Sequence, residues 1–461
     1  MSENLIVVSV DSHAQMPAEA WPQYLERRYH ELLPQLNAEN EAYTSVMHRL
    51  LERDFGPENL EFVDPDRVLR SGGVNGLWDV GTRLAQMDRE GVAAEFVYFG
   101  DPRVTAPFHG ASNRRYDADV CQAGIRAYHR WLADVFGTAK DRILVVGATG
   151  ACNDLDQLLA ELDWISDQGF AGTYPPGFTP TSDTPPLYDP YWEPFWQKCE
   201  QQGLPLFVHA GFGLPQGLLF DAIEVVKAQA EAEEGGADVD WVERFITLIS
   251  AGGDLFADVG PRKPMWQLML GGVFDRHPDL RLVMTEVRAD WLPATLRHLD
   301  EAYVRARSDL PAERKPSEYW QTNCLTSLSF VHRAEVAMRR EIGVETIAFG
   351  RDYPHSEGTW PNTKAWLSDA FAGVAEDELR LMLGENAIRV LKLDRPRLAE
   401  IASRIGPTLD EVSRPETLLD PRLIRQFDAR GGYLKPAEGD QKIAEIDEML
   451  GVDLRQVASL T

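Results

Sequence analysis

The chain has 461 residues, 44% of them hydrophobic, enough for one large α/β domain with a substantial core and additions. Its 73 acidic residues outnumber 46 basic ones for a formal charge of −27, which repels nucleic acid and anionic membranes and excludes both as partners. Cys121, Cys152, Cys199 and Cys324 stand far apart with no CxxC pair, so neither a zinc knuckle nor a disulfide framework is indicated. With no basic and apolar leader before Leu5 and no long apolar run, the sequence predicts a cytoplasmic protein without a membrane span.

Asn4 to Val10 reads as the first strand, and residues 22–75, less periodic and rich in charge and aromatics, as an insertion. Gly81 to Glu90 is predicted helical, Val92 to Phe99 a strand, and 115–137 a helix with apolar spacing through Cys121, Ile125, Tyr128, Trp131, Leu132 and Val135. A strand at Ile143 to Ala148, a helix at Leu155 to Gln168 and a short strand at Gly169 to Thr173 follow. Thr173 to Pro194, crowded with Pro, Gly, Asp and Tyr, reads as a loop, and Tyr191 to Gln202 as a helix stopped at Gly203. After the strand ending at His209 comes a second insertion, 214–240, with a solvent-facing helix from Ala222 to Gly236. Val242 to Ala251, Met265 to Phe274 and Ala294 to Ala306 are predicted helices, Leu280 to Thr285 a strand, and Phe330 to Glu341 leads to the last strand, Thr346 to Gly350. This alternation predicts a parallel sheet or barrel over residues 1–392.

Residues 393–461 change character, with Pro396, Pro407, Pro415, Pro421 and Pro436 punctuating short helical pieces, and form a C-terminal helical extension. Its apolar positions Leu418, Leu419, Leu423, Ile424, Phe427, Leu450, Leu454 and Val457 are expected to cover their own barrel or a neighbouring subunit in a homodimer.

Four strands end in ionisable residues, and a closed barrel would gather such ends at one mouth. Asp11 and His13, two apart on a strand, project to the same side and can reach one metal ion, although Asp and Ser are also ordinary turn formers. His209 closes Leu206-Phe207-Val208 and precedes Ala210-Gly211-Phe212-Gly213; it is either a satisfied core histidine or a ligand beside glycines that permit close approach. Glu286 can act as ligand, as orienter of a ligand or as acid, and Arg288 as its salt-bridge partner or as anchor for a substrate carboxylate. Asp352 is the candidate ligand and general base, unless it merely caps a turn; His355, behind Pro354, can orient it, bind substrate or protonate a leaving group.

These segments resemble the amidohydrolase superfamily, in its branch similar to aminocarboxymuconate-semialdehyde decarboxylase. Val10-Asp11-Ser12-His13 resembles the first-strand HxH or ExH motif, Gly203 to Gly211 the fifth-strand segment with His209, and Gly350-Arg351-Asp352-Tyr353-Pro354-His355 the signature G-S-D-Y-P-H. Leu383-Gly384-Glu385-Asn386-Ala387 resembles the final G-x-N-A helix. The resemblance implies a distorted (β/α)8 TIM barrel with one divalent ion, Zn²⁺ first and Mn²⁺ or Fe²⁺ as alternatives, held by Asp11, His13, His209 and Asp352.

Glu286 stands where decarboxylases of this branch carry a catalytic histidine, and no lysine follows the fourth strand to bridge a second ion. The expectation is therefore a metal-dependent hydrolase that attacks an amide, ester or lactone carbonyl of a small substrate, with Asp352, Glu286 and His355 catalytic and Arg288, Tyr174 and Trp291 lining the pocket. The alternative is a non-oxidative decarboxylase of an aromatic or unsaturated carboxylic acid. A binding barrel without turnover is a third reading.

Overall fold

The computed structural model describes residues 4–54, 56–100, 107–150, 154–234, 240–251, 259–328, 331–414, 419–429 and 442–460. Eight parallel strands close into a barrel: β1 (Val8–Ser9), β2 (Ala94–Phe99), β3 (Ile143–Gly147), β4 (Gly172–Thr173), β5 (Leu206–Val208), β6 (Leu282–Met284), β7 (Cys324–Leu328) and β8 (Ile347–Phe349). Closure comes from β1, which pairs Val8 with Ala94 of β2 and Ser9 with Phe349 of β8. Past a bend at Val10 the chain resumes extended pairing at His13–Ala14, against Tyr98 and Phe99. The architecture is a TIM barrel with C-terminal helices.

The two-residue period of a strand sorts the side chains. Val8, Ala94, Phe96, Tyr98, Val146, Phe207, Val283, Leu325 and Ala348 fill the barrel interior. Their neighbours Val7, Val97, Val145, Leu206, Val208, Leu282, Met284 and Phe349 belong to the outer core beneath the helices. Strand β7 is absent from the sequence reading because Cys324-Leu325-Thr326-Ser327-Leu328 is half polar and ends in no ionisable residue. The helix expected from Met265 to Phe274 begins earlier and is split: Val259–Leu270 is followed by Val273–Arg276, with Gly272 at φ 63 between them. Residues 22–75 contain the helices Leu33–Asp54 and Pro57–Val63. Val46 of the first joins Leu219, Ile223 and Val226 of Leu218–Glu234 and Phe245 and Ile246 of Trp241–Ala251 in a small apolar cluster of their own.

The extension packs on its own barrel. Leu423, Phe427, Ile446, Leu450 and Val457 are buried in the main core, and Phe427 stacks on Trp366 at 4.6 Å. Leu418, Pro415, Pro436 and Cys152 lie outside the described residues. Asp453, buried in the helix Ile443–Ala458, accepts hydrogen bonds from Trp266 Nε1 (2.8 Å), Tyr188 Oη (3.1 Å) and Gln267 Nε2 (3.1 Å), while Gln267 Oε1 accepts from Leu187 N at 3.0 Å. The tail's apolar stripe is thus used within this chain and supplies no argument for a subunit contact. Each large side chain uncovered would cost roughly 1.5–3 kcal/mol against a total stability of roughly 5–15 kcal/mol. Truncation after Lys392 is therefore expected to give aggregated protein, judged by soluble yield and size-exclusion profile; a soluble, monodisperse product would show that this cover is dispensable. Among the described residues no helix is long and apolar enough to cross a membrane.

Candidate metal centre

The ends of β1, β5, β6 and β8 converge on one buried cluster. Asp11, His13, His209 and Glu286 each offer a ligand atom within 4.8 Å of the others, and His13, Glu286, Asp352 and His355 form an overlapping group. His209 Nε2 lies 2.8 Å from Glu286 Oε2 and 3.4 Å from Asp11 Oδ1; His13 Nε2 lies 3.0 Å from Asp352 Oδ1 and 3.7 Å from Glu286 Oε2. His355 Nδ1 is 3.1 Å from Asp352 Oδ1, and its ring stacks on His13 at 4.0 Å. Of the expected residues, Glu286 therefore joins both groups as a shared carboxylate, where the sequence left its role open.

Local backbone aims these side chains. Glu286 and Asp352 adopt left-handed φ values of 53° and 51°, a conformation costing roughly 1 kcal/mol or more per non-glycine residue. Asp352 is held there by N–H donation to Asp11 O at 2.9 Å, and His13 N donates to Tyr353 O at 2.7 Å. Gly100 makes room for His13, since a Cβ there would stand 2.8 Å from its Nδ1.

Beneath the ligands lies an ionic support that the sequence reading missed. Glu95, fully buried in β2, accepts from Arg83 Nε, from Arg351 Nε at 2.8 Å and from Ser12 Oγ at 2.9 Å. Arg83 also donates to His13 O, and both guanidinium groups lie over the Tyr353 ring at 4.5 and 4.7 Å. Burial alone would raise the Glu95 carboxyl, but Arg351 and Arg83 hold it below its ordinary range. The available signal was a lone charge inside the apolar run Ala94 to Phe99.

The carboxylates and imidazoles of the cluster shift one another strongly. Burial raises Asp11, and it would lower His209 and His355. Glu286 and Asp11 override it to push His209 well up, and Asp352 brings His355 to about 10. Three carboxylates beside imidazoles are a donor set for a divalent ion, and Asp352 Oδ2 is buried with no hydrogen-bond partner among the described residues. The residues fit such an ion.

The expected pocket residues separate. Tyr174 is buried beside Tyr98, whose ring lies 5.2 Å from that of His209. Arg288 Nε lies 3.3 Å from Asp290 Oδ1, and Trp291 is fully buried under the Arg262 guanidinium at 4.5 Å. Tyr174 instead opens onto a cleft shared with Phe99, His109, Ile125, Thr149 and Phe178, none of which the sequence marks as a pocket residue.

Fold and site define a metal-binding TIM barrel of the amidohydrolase kind. A family model described as amidohydrolase matches residues 10–393, and the chain belongs to that family. It is 27% identical over 323 residues to a gamma-resorcylate decarboxylase of Rhizobium sp. (strain MTP-10005), covering 68% of this chain and 87% of that one. Among solved structures it resembles 5-carboxyvanillate decarboxylase from Sphingomonas paucimobilis (20% identity, TM-score 0.53, 85% of this chain and 100% of that one). It also resembles 5-carboxyvanillate decarboxylase from Novosphingobium aromaticivorans complexed with manganese and 4-hydroxy-3-methoxy-5-nitrobenzoic acid (16% identity, TM-score 0.53, 85% and 100% covered).

These relatives overturn the hydrolase expectation. That expectation rested on Glu286 replacing a catalytic histidine, yet Glu286 lies among the atoms that could hold an ion, so its identity does not select hydrolysis.

Proposed function

We propose that this chain is a metal-dependent, non-oxidative decarboxylase of hydroxylated aromatic carboxylic acids. The observation that carries the reading is its similarity to a gamma-resorcylate decarboxylase across 87% of that protein's length. The geometry agrees with it, because the ligand cluster adjoins rings rather than a polar groove: Tyr98, Tyr174, Phe99 and Phe178 follow one another with centroid separations of 4.7–6.2 Å.

Asp11, His13, His209 and Glu286 would hold the ion, with Asp352 beside them. The carboxylate-rich donor set and the manganese of a similar structure favour Mn²⁺ over Zn²⁺. A divalent cation bound there would supply the positive charge that attracts the substrate carboxylate. The aromatic walls flank the ring and exclude water. His355, paired with Asp352, holds a proton within the cluster and delivers it to the ring carbon that bears the carboxylate. The bond from that carbon to the carboxylate then breaks, its electrons restore the aromatic ring, and CO₂ departs. One proton is consumed for each CO₂ released.

Incubation of the Mn²⁺-loaded enzyme with a panel of hydroxybenzoates in D₂O tests this. The expected result is CO₂ release with one deuterium at the vacated carbon, and at least a ~10²-fold loss of rate in His355→Gln. No CO₂ from any aromatic acid would overturn the reading.

A further inference from the structure

Glu286 leaves β6 with a left-handed φ of 53°, and the backbone is tied down on either side of it. Before it, Thr285 N donates to Val208 O at 2.8 Å, joining this strand end to the one that carries His209. After it, Ala289 N donates to Glu335 Oε1 at 2.8 Å, and Ala289 O accepts from Leu292 N at 3.1 Å where the helix Leu292–Ala306 begins. Val287, Ala289 and Asp290 are all buried along this segment.

Glu335 comes from a different element, the short helix Arg333–Ala337 after β7, and is only 2% exposed. It belongs to neither group of candidate ligands. Burial pushes its carboxyl up to about 8; the Ala289 N–H works against that rise, Asp290 adds to it, and Arg288 and the His332 backbone oppose it. At neutral pH the group is therefore an uncharged acid whose carbonyl oxygen accepts from Ala289. Burying a carboxyl is costly, and this one spends its position on a backbone N–H three residues beyond Glu286. A left-handed residue other than glycine persists only where its surroundings over-determine it, and the bond to Ala289 supplies that constraint on the far side of Glu286.

We propose that Glu335 is a positioning residue for the cation site: by holding Ala289 N it keeps Glu286 in the conformation that aims its carboxylate at the cluster. The proposal rests on the reading of Glu286 as a cation ligand and is independent of the reaction catalysed. Calorimetric Mn²⁺ affinities of wild type, Glu335→Gln and Glu335→Asp, each with and without Glu286→Ala, test it. Glutamine keeps the acceptor at the same reach and matches the uncharged acid, so affinity should stay within about threefold of wild type. Aspartate, one methylene shorter, cannot span to Ala289 and should lose about tenfold, the lower end of the range for groups that orient a ligand. In the Glu286→Ala background no carboxylate remains to be aimed, and the aspartate substitution should then cost less than about twofold.

Equal losses from Glu335→Asp in both backgrounds would mean a general structural role and overturn the assignment. An unchanged affinity in Glu335→Asp, or a loss in Glu335→Gln as large as in aspartate, would overturn it too. Should Glu335→Asp fail to fold, Glu335→Gln decides: kept affinity supports the bond to Ala289 and lost affinity refutes it. Wild type that binds no Mn²⁺ would refute both the cation site and this role for Glu335. If the affinities follow the expected pattern and no CO₂ forms from any aromatic acid, the decarboxylase reading fails and the positioning of Glu286 stands.

Discussion

Replacement of Glu95 by glutamine is expected to destabilise the protein by roughly 3–5 kcal/mol, the range for breaking a buried ion pair on one side. The reason is geometric. Glu95 is the shared counter-charge of Arg83 and Arg351, all three fully buried, and removing its charge leaves two guanidinium groups facing each other across Tyr353. Arg83 also holds the His13 carbonyl, and Arg351 directly precedes Asp352, so the ligand cluster should loosen as well. Thermal unfolding and metal content measured on Glu95→Gln check both effects. A variant with unchanged melting temperature and stoichiometric metal would show that the triad supports nothing above it.

The second large effect concerns the ion. Glu286→Gln and His209→Ala should each lower divalent-cation affinity by ~10²-fold or more, since both residues offer ligand atoms at the proposed site. The pH dependence adds a sharper criterion. In the ion-free protein burial would lower His209, but Glu286 and Asp11 raise it well above the ordinary imidazole value, so a proton occupies that site to higher pH than on a free imidazole. A cation must displace it, and affinity therefore falls as pH drops through the raised value, by up to about tenfold per unit for each proton displaced. Removing the Glu286 charge lowers His209 again, which moves the midpoint of this dependence to lower pH even as affinity weakens. Metal titrations monitored by calorimetry between pH 5 and 9 measure both quantities; a midpoint unmoved in Glu286→Gln would refute the coupling.

The sequence made the clustered residues legible because each closes an apolar strand, where a converging barrel mouth adds a reading to the ordinary ones of turn former, cap or core histidine. Asp11, His13, His209, Glu286 and Asp352 are brought together by barrel closure alone. What depends on partners distant in sequence was hidden. Arg288 could be assigned to Glu286 or to substrate from its position, and only folding pairs it with Asp290. Glu95 looked like one charge among 73 acidic residues until helix Val80–Glu90 and the end of β8 placed Arg83 and Arg351 on it. Strand β7 was invisible for a different reason: Thr326 and Ser327 are fully covered by their neighbours, so its buried faces did not require an apolar pattern. The choice between hydrolysis and decarboxylation was not legible at all, since one ligand set serves either reaction.

The position of Asp453 along the chain orders events during synthesis. It follows all eight strands, yet it receives Tyr188 directly and Leu187 through Gln267, at the base of the loop that leaves β4 and carries Tyr174 and Phe178 to the cleft. A nascent chain that has already closed its barrel therefore still lacks the anchor of its mouth. The helix that anchors this loop, Ile443–Ala458, is thus synthesised after every strand of the barrel on which the loop sits.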